Sequence, residues 1–305
     1  MILLGILAAS GADAAVGVAG YFAGGLSSTA TVDKFAFPSD SRTTLGTGLS
    51  TARGGGAGIS NPSVAGYAAG GNSGSPVSTV DKFAFPADSR TTLATGLSEG
   101  RWLVAGFSNF EVAGYIAGGR ESPDVDTIDK FAFPSDSRST LSATLSAALF
   151  GASGFSNSGV AGYVAGGDTG SRPTTVDKIA FPSDSKTTLA TGLSAGRRYP
   201  AGFADKGVAG YALGGQDSSN TYVTTVDKFA FPSDSRTTLG TGISTGTEEA
   251  TGISNSKVAG YFGGGDALGN TDTVDKFAFP SDTRTTLGTG LSSDRKLTSG
   301  FQDAV

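Results

Sequence analysis

The segment DKFAFPSDSRTTL recurs six times with small variations, beginning at Asp33, Asp81, Asp129, Asp177, Asp227 and Asp275, at spacings of 48, 48, 48, 50 and 48 residues. A second marker, VAGYxxGG, places Tyr21, Tyr67, Tyr115, Tyr163, Tyr211 and Tyr261 at nearly the same intervals. A period of this length is the signature of a repeat architecture, in which each unit buries its apolar face only against the next. Six such units use up the whole of 1–305 and leave no room for a separate domain.

Each unit divides into four strand-like stretches separated by turn chemistry. In the fourth unit, strand A is expected over residues 152–157, strand B over 160–166, strand C over 175–181 and strand D over 187–193. Pro182, which cannot donate to a ladder, ends strand C. A helical reading fails because glycine recurs every few residues and no apolar stripe of period 3.6 persists. On strand C, alternation sets Asp227, Phe229 and Phe231 on one face, and likewise Phe35 and Phe37 in the first unit. A lone four-stranded unit has nothing to cover that aromatic face. The expected fold is therefore all-β, a six-bladed β-propeller of four-stranded antiparallel blades, with the Gly-rich strand B in its crowded inner part.

The paired glycines Gly24-Gly25, Gly70-Gly71, Gly118-Gly119, Gly166-Gly167, Gly214-Gly215 and Gly264-Gly265 follow the second strand of each unit. The aromatic strand C runs into a Pro turn, and Arg53, Arg101 and Arg197 precede the next first strand. In these features the chain resembles kelch repeats, which implies a propeller. It departs in having Phe for the usual Tyr, and Leu45, Leu93, Leu141, Leu189, Leu239 and Leu287 for the usual Trp. The GYxxGG and DKFAFP units are also similar to repeats in viral tail-fibre-like and environmental microbial proteins.

Two stretches compete to close the ring. Residues 297–305 (LTSGFQDAV) read as a seventh strand A with the aromatic anchor, and residues 10–18 (SGADAAVGV) as another with Ala12 in its place. The C-terminal copy is favoured. The apolar residues 1–14 are then a surplus strand, able to pair with another molecule and build filaments, or the remnant of a signal peptide.

Consecutive strands run antiparallel, so the B–C and D–A loops open on one face and the A–B and C–D turns on the other. The C–D turn is nearly uniform, as is much of A–B, whereas B–C and D–A vary. A uniform scaffold with diversified loops on one side is the arrangement of a binding surface. That face carries Arg101, Trp102, Phe150, Arg197, Arg198, Tyr199, Tyr222, Glu248 and Glu249. Aromatic and arginine side chains are common recognition anchors, and a Trp or Tyr platform beside carboxylates suits a sugar ring. The expected partner is a glycan or a protein receptor, in an extracellular or virion-surface setting.

Composition narrows the chemistry. The chain has neither Cys nor His, which removes thiol nucleophiles, disulfides, Cys/His zinc sites and His-based triads. With a net charge of −5 and no basic cluster there is no electrostatic footprint for nucleic acid. The apolar N-terminus is too short to span a bilayer. Glu248, Glu249, Asp124 and Asp126 are available carboxylates, but nothing pairs them as in a glycosidase. The expectation is a non-enzymatic protein without cofactor or metal. The six Asp-Lys pairs, at Asp33-Lys34 and its copies, read as a structural feature of strand C.

Overall fold

The computed structural model describes residues 18–26 and 29–304. The described residues form six sheets of four antiparallel strands, one small two-stranded sheet and no helix. Blade 2 consists of strands A (Ala57–Asn61), B (Ala65–Ala69), C (Val80–Ala84) and D (Ser89–Thr92). Blade 3 begins at Ala105–Asn109 and blade 4 at Ser153–Asn157; blade 5 begins at Ala201–Asp205 and blade 6 at Thr251–Asn255. Blade 1 takes strands B (Ala19–Ala23), C (Val32–Ala36) and D (Ser41–Thr44) from the start of the chain and strand A (Ser299–Gln302) from its end. Tyr21 pairs with Phe301 in that sheet, so the C-terminal copy closes the ring. Apart from Val18, the competing stretch at residues 10–18 lies outside the described residues, as does the segment 1–14.

In blade 4 strands A, B and C fall within a residue of expectation, but strand D is Ser185–Thr188 rather than 187–193. The turn is tighter than the sequence suggested. Asp184 adopts a left-handed backbone (φ 56°), which Asp tolerates better than most residues. Ala180 then pairs directly with Ser185. The early turn has a second effect. The aspartate at this position in each blade receives the tyrosine of strand B and the lysine of strand C from the preceding blade. Tyr115 Oη donates to Asp184 Oδ1 at 2.8 Å and Lys130 Nζ to Oδ2 at 2.6 Å. The same clamp runs from Tyr261 and Lys276 of blade 6 to Asp40 of blade 1, across the closure.

The aromatic face of strand C is covered by the neighbouring blade, as stacking requires. Phe231 stacks on Tyr163 at 5.4 Å and Phe229 on Phe155 at 5.8 Å between centroids. Equivalent stacks join Phe85 to Tyr21 and Phe37 to Tyr261.

Strand A, not strand B, lines the axis, since the six A strands pack against one another around it. Their second residues, Gly58, Gly106, Gly154, Gly202, Gly252 and Gly300, form a ring. At each, a Cβ would fall within 3.0 Å of the backbone of the glycine one blade before. Only glycine allows six strands so close to one axis. The glycines of strand B serve the next shell: a Cβ on Gly162 or Gly210 would strike the ring of Phe107 or Phe155 from the preceding blade's strand A.

Candidate axial site on the variable face

Both variable loops of a blade lie on one face and are tied together there. Trp102 of a D–A loop bridges Arg120 of a B–C loop, Phe150 bridges Asp168, and Glu248 bridges Asp266. In blade 5 the bridge grows to a small sheet, Arg197–Arg198 with Gln216–Asp217.

Within the D–A loops, six equivalent residues meet around the axis: Gly55, Leu103, Gly151, Tyr199, Glu249 and Leu297. All six have a left-handed backbone, with φ between 55° and 74°. In this conformation the N–H of each donates to the carbonyl of its counterpart one blade back. Leu103 N donates to Gly55 O at 2.6 Å, Gly151 N to Leu103 O at 2.8 Å and Tyr199 N to Gly151 O at 2.6 Å. Glu249 N, Leu297 N and Gly55 N continue the series at 3.3, 2.7 and 2.7 Å, and the circle closes. Left-handed backbone strains Leu, Tyr and Glu, whereas Gly55 and Gly151 adopt it freely. A closed belt of hydrogen bonds thus holds four strained residues at the mouth of the axis.

The belt rims a cup of about 110 Å³ whose floor is the glycine ring. Its wall is asymmetric. Leu103, Phe150 and Leu297 pack into a small apolar cluster with Trp102, Tyr199 and Leu26 against it. Tyr199 and Glu249 supply a phenol and a carboxylate to the same rim. Thr298 belongs to the lining as well, and its Oγ1 is buried without a hydrogen-bond partner.

Charged groups surround the cup in alternation. Lys296 Nζ lies 2.7 Å from Glu249 and 2.9 Å from Asp266. Arg198 reaches Asp168 at 3.3 Å and stands 3.9 Å from Glu248, with its guanidinium 5.0 Å above the Tyr199 ring. Arg120 covers Phe150 at 4.6 Å. Burial, helped by the Glu249 charge, pushes the Tyr199 phenol up to about 12. Burial and the same neighbour raise Glu248 above the usual carboxylate range. Burial disfavours the Lys296 ammonium, but its bonds to Asp266 and Glu249 prevail and hold its pKa above the ordinary lysine value.

Of the nine residues singled out from the sequence, Tyr199 and Glu249 line the cup. Trp102, Arg198 and Tyr222 are half-buried on the same face, and Phe150 and Glu248 are buried beneath it. Arg101 and Arg197 do not belong to a ligand surface. They are 0 % and 1 % exposed and are held inside blades 3 and 5. Arg197 Nη1 meets Asp227 Oδ2 at 2.9 Å and Nη2 meets Ala212 O at 3.0 Å. Arg101 meets Asp129 at 3.1 Å and the carbonyl of Ile116. Arg53 and Arg295 are buried in the same way against Asp81 and Asp33. The recurrent aspartate of strand C is thus a structural partner, as read from the sequence, and the arginine is its counter-ion. Leu103, Gly151, Gly55, Leu297 and Lys296 were missed. Aligning the D–A loops on the serine that opens each (Ser50, Ser98, Ser146, Ser194, Ser244, Ser292) sets the belt residues five places on.

No protein-family model matches the chain, and no curated protein matches its sequence. The kelch and tail-fibre likenesses are therefore likenesses of pattern, while the six-bladed β-propeller rests on the structure. No helix among the described residues is long and apolar enough to cross a membrane.

Proposed function

We propose that the protein is a non-enzymatic recognition scaffold that binds a glycan through the axial cup and the loops around it, at a cell or virion surface. One observation carries the reading. The frame repeats six-fold in its clamps, stacks and glycine ring, yet the belt presents Gly, Leu, Gly, Tyr, Glu and Leu at six equivalent places. Asymmetry on a symmetric frame concentrates where the loops diversify, which is how a propeller acquires a ligand site. An apolar wall with a phenol and a carboxylate offers one sugar ring a stacking surface and hydrogen bonds. The non-enzymatic reading is supported by the carboxylates themselves: Glu248 and Glu249 adjoin on one loop, and Glu249 is held by Lys296.

The test is a glycan array probed with the intact chain and with Tyr199→Ala, Trp102→Ala and Glu249→Gln. Glycan binding lost in Tyr199→Ala and weakened in Trp102→Ala, with thermal stability retained, is the expected result. Glycan binding unchanged in all three would remove the cup from the function. Binding only to proteins would replace the glycan with a protein receptor on the same face.

A further inference from the structure

We infer that blade 6 carries a cation site for a guanidinium headgroup, in the pocket that four other blades fill with their own arginine. Arg53, Arg101, Arg197 and Arg295 each stand three residues after the loop serine, and each enters the interior of its blade. The contacts are of one kind. Each guanidinium meets the strand C aspartate and the carbonyl of the fourth residue of strand B: Ala68, Ile116, Ala212 or Phe22. A further donor reaches the loop, as Arg53 to Thr51 O at 3.3 Å, Arg197 to Ala195 O at 3.4 Å and Arg101 to Thr127 Oγ1 at 2.7 Å.

Two blades lack the arginine. Blade 4 has Leu149 at the position, buried within the apolar core of that part of the ring. Blade 6 has Thr247, whose side chain is too short to fill the space, and here a cavity of about 60 Å³ remains. Its lining includes Thr245, Phe262, Gly264, Thr273 and Asp275, the counterparts of the groups that hold Arg53 and Arg101. Three of these offer what the guanidinium uses elsewhere: the Phe262 and Thr245 carbonyls and the Asp275 carboxylate.

Asp275 is 1 % exposed. Among the described residues its Oδ2 accepts one hydrogen bond, from Ser244 N at 2.6 Å. Oδ2 of Asp81 in blade 2 accepts three, from Ser50 N, Ser50 Oγ and Arg53. Oδ1 of Asp275 is engaged by Thr286 Oγ1 at 2.6 Å and by Arg284 Nη1 at 3.5 Å, as its counterparts are in the other blades. Oδ2, beside the cavity, keeps the acceptor capacity that the loop arginine uses in four blades, and a charged donor there makes the stronger hydrogen bond. Thr247 Oγ1 donates to Thr245 O at 2.8 Å, and that carbonyl keeps a second lone pair. The space exceeds the roughly 10–15 Å³ needed to seat one water and suits a flat cation of a few heavy atoms. Guanidinium matches it in planarity, charge and donor directions.

Isothermal titration of the intact chain with millimolar guanidinium chloride tests this, against sodium chloride at equal ionic strength and against urea, the neutral isostere. We expect one saturable site, with urea at least about tenfold weaker because it lacks the charge on the hydrogen bond to Asp275. Thr247→Arg fills the pocket with the side chain of the other blades, and Thr247→Leu fills it as blade 4 does. Both are expected to abolish the titration, and Thr247→Arg to raise the melting temperature as well. N-acetyl-arginine amide distinguishes the source of the headgroup. Affinity equal to methylguanidinium assigns the pocket to an arginine presented by another polypeptide, and loss of affinity assigns it to small free guanidinium compounds. A guanidinium signal no different from sodium chloride, or one that persists in both filled variants, overturns the inference.

Discussion

Arg197→Leu tests whether the buried arginine–aspartate pair holds each blade together. The substitution removes the 2.9 Å contact to Asp227 and the 3.0 Å bond to Ala212 O. Asp227 keeps Ser194 N and Oγ, both at 2.9 Å, Thr238 Oγ1 at 2.8 Å and the partly exposed Arg236 Nη1 at 3.4 Å. Removing one partner of a buried pair costs about 3–5 kcal/mol, because the other charge stays buried. The new leucine recovers about 1–2 kcal/mol by burying apolar surface. Blade 4 is a natural precedent, with Leu149 in the loop and Asp177 still held by Ser146 and Thr188. The net loss is therefore about 1–4 kcal/mol, centred on about 2.5 kcal/mol. With an unfolding entropy of about 0.6 kcal/mol/K for a chain of this length, the melting temperature should fall by roughly 4 °C.

The pH dependence gives a second arm. Burial pushes Asp227 up, but Arg197, Ser194 and Thr238 outweigh it and hold the group below the usual carboxylate range. A depressed folded pKa contributes stability above the unfolded value of about 3.9 and loses it as pH falls through the folded value. Without Arg197 the burial is less opposed and the folded pKa rises, so protonation on going from neutral pH to about pH 4 relieves the variant but not the parent. The gap in stability should narrow over that range. Urea unfolding at both pH values measures it. A fall of under about 1 °C at neutral pH, or a gap that widens on acidification, would refute the assignment of the pair as a structural device.

Gly154→Ala places a Cβ within 3.0 Å of the Gly106 backbone, which cannot rotate away. An overpacking cost of about 1–3 kcal/mol is expected, checked by thermal melting alongside Gly159→Ala, a turn position with open space around it but φ 85°. Phe301→Ala strips the closing strand of the ring that stacks on Tyr21 at 5.0 Å and Phe83 at 5.4 Å. A loss of about 3–5 kcal/mol is expected, with hydrogen exchange rising first in blade 1. Protection retained there would mean that blade 1 does not depend on the C-terminal strand.

The period, the four strands and the side of the variable loops were legible in the sequence because each depends on local chemistry repeated six times. The belt was not, because its residues share no side-chain type. Gly55, Leu103, Gly151, Tyr199, Glu249 and Leu297 are equivalent only in backbone, and the hydrogen bonds that join them run between residues 48 or 50 positions apart, or, at the closure from Gly55 to Leu297, across most of the chain. Arg101 and Arg197 misled for a related reason. In a loop that varies, an arginine looks like a recognition anchor, and its destination is set by an aspartate some 30 residues further on. The recurrence of both residues was the available signal. An arginine that returns at the same offset in four units serves the frame, whereas the loop residues that change from unit to unit are those free to serve a ligand. That distinction also bears on Thr247. It departs from the frame position, so the blade that carries it keeps the aspartate and strand B carbonyl that meet the loop arginine in four other blades, without that arginine.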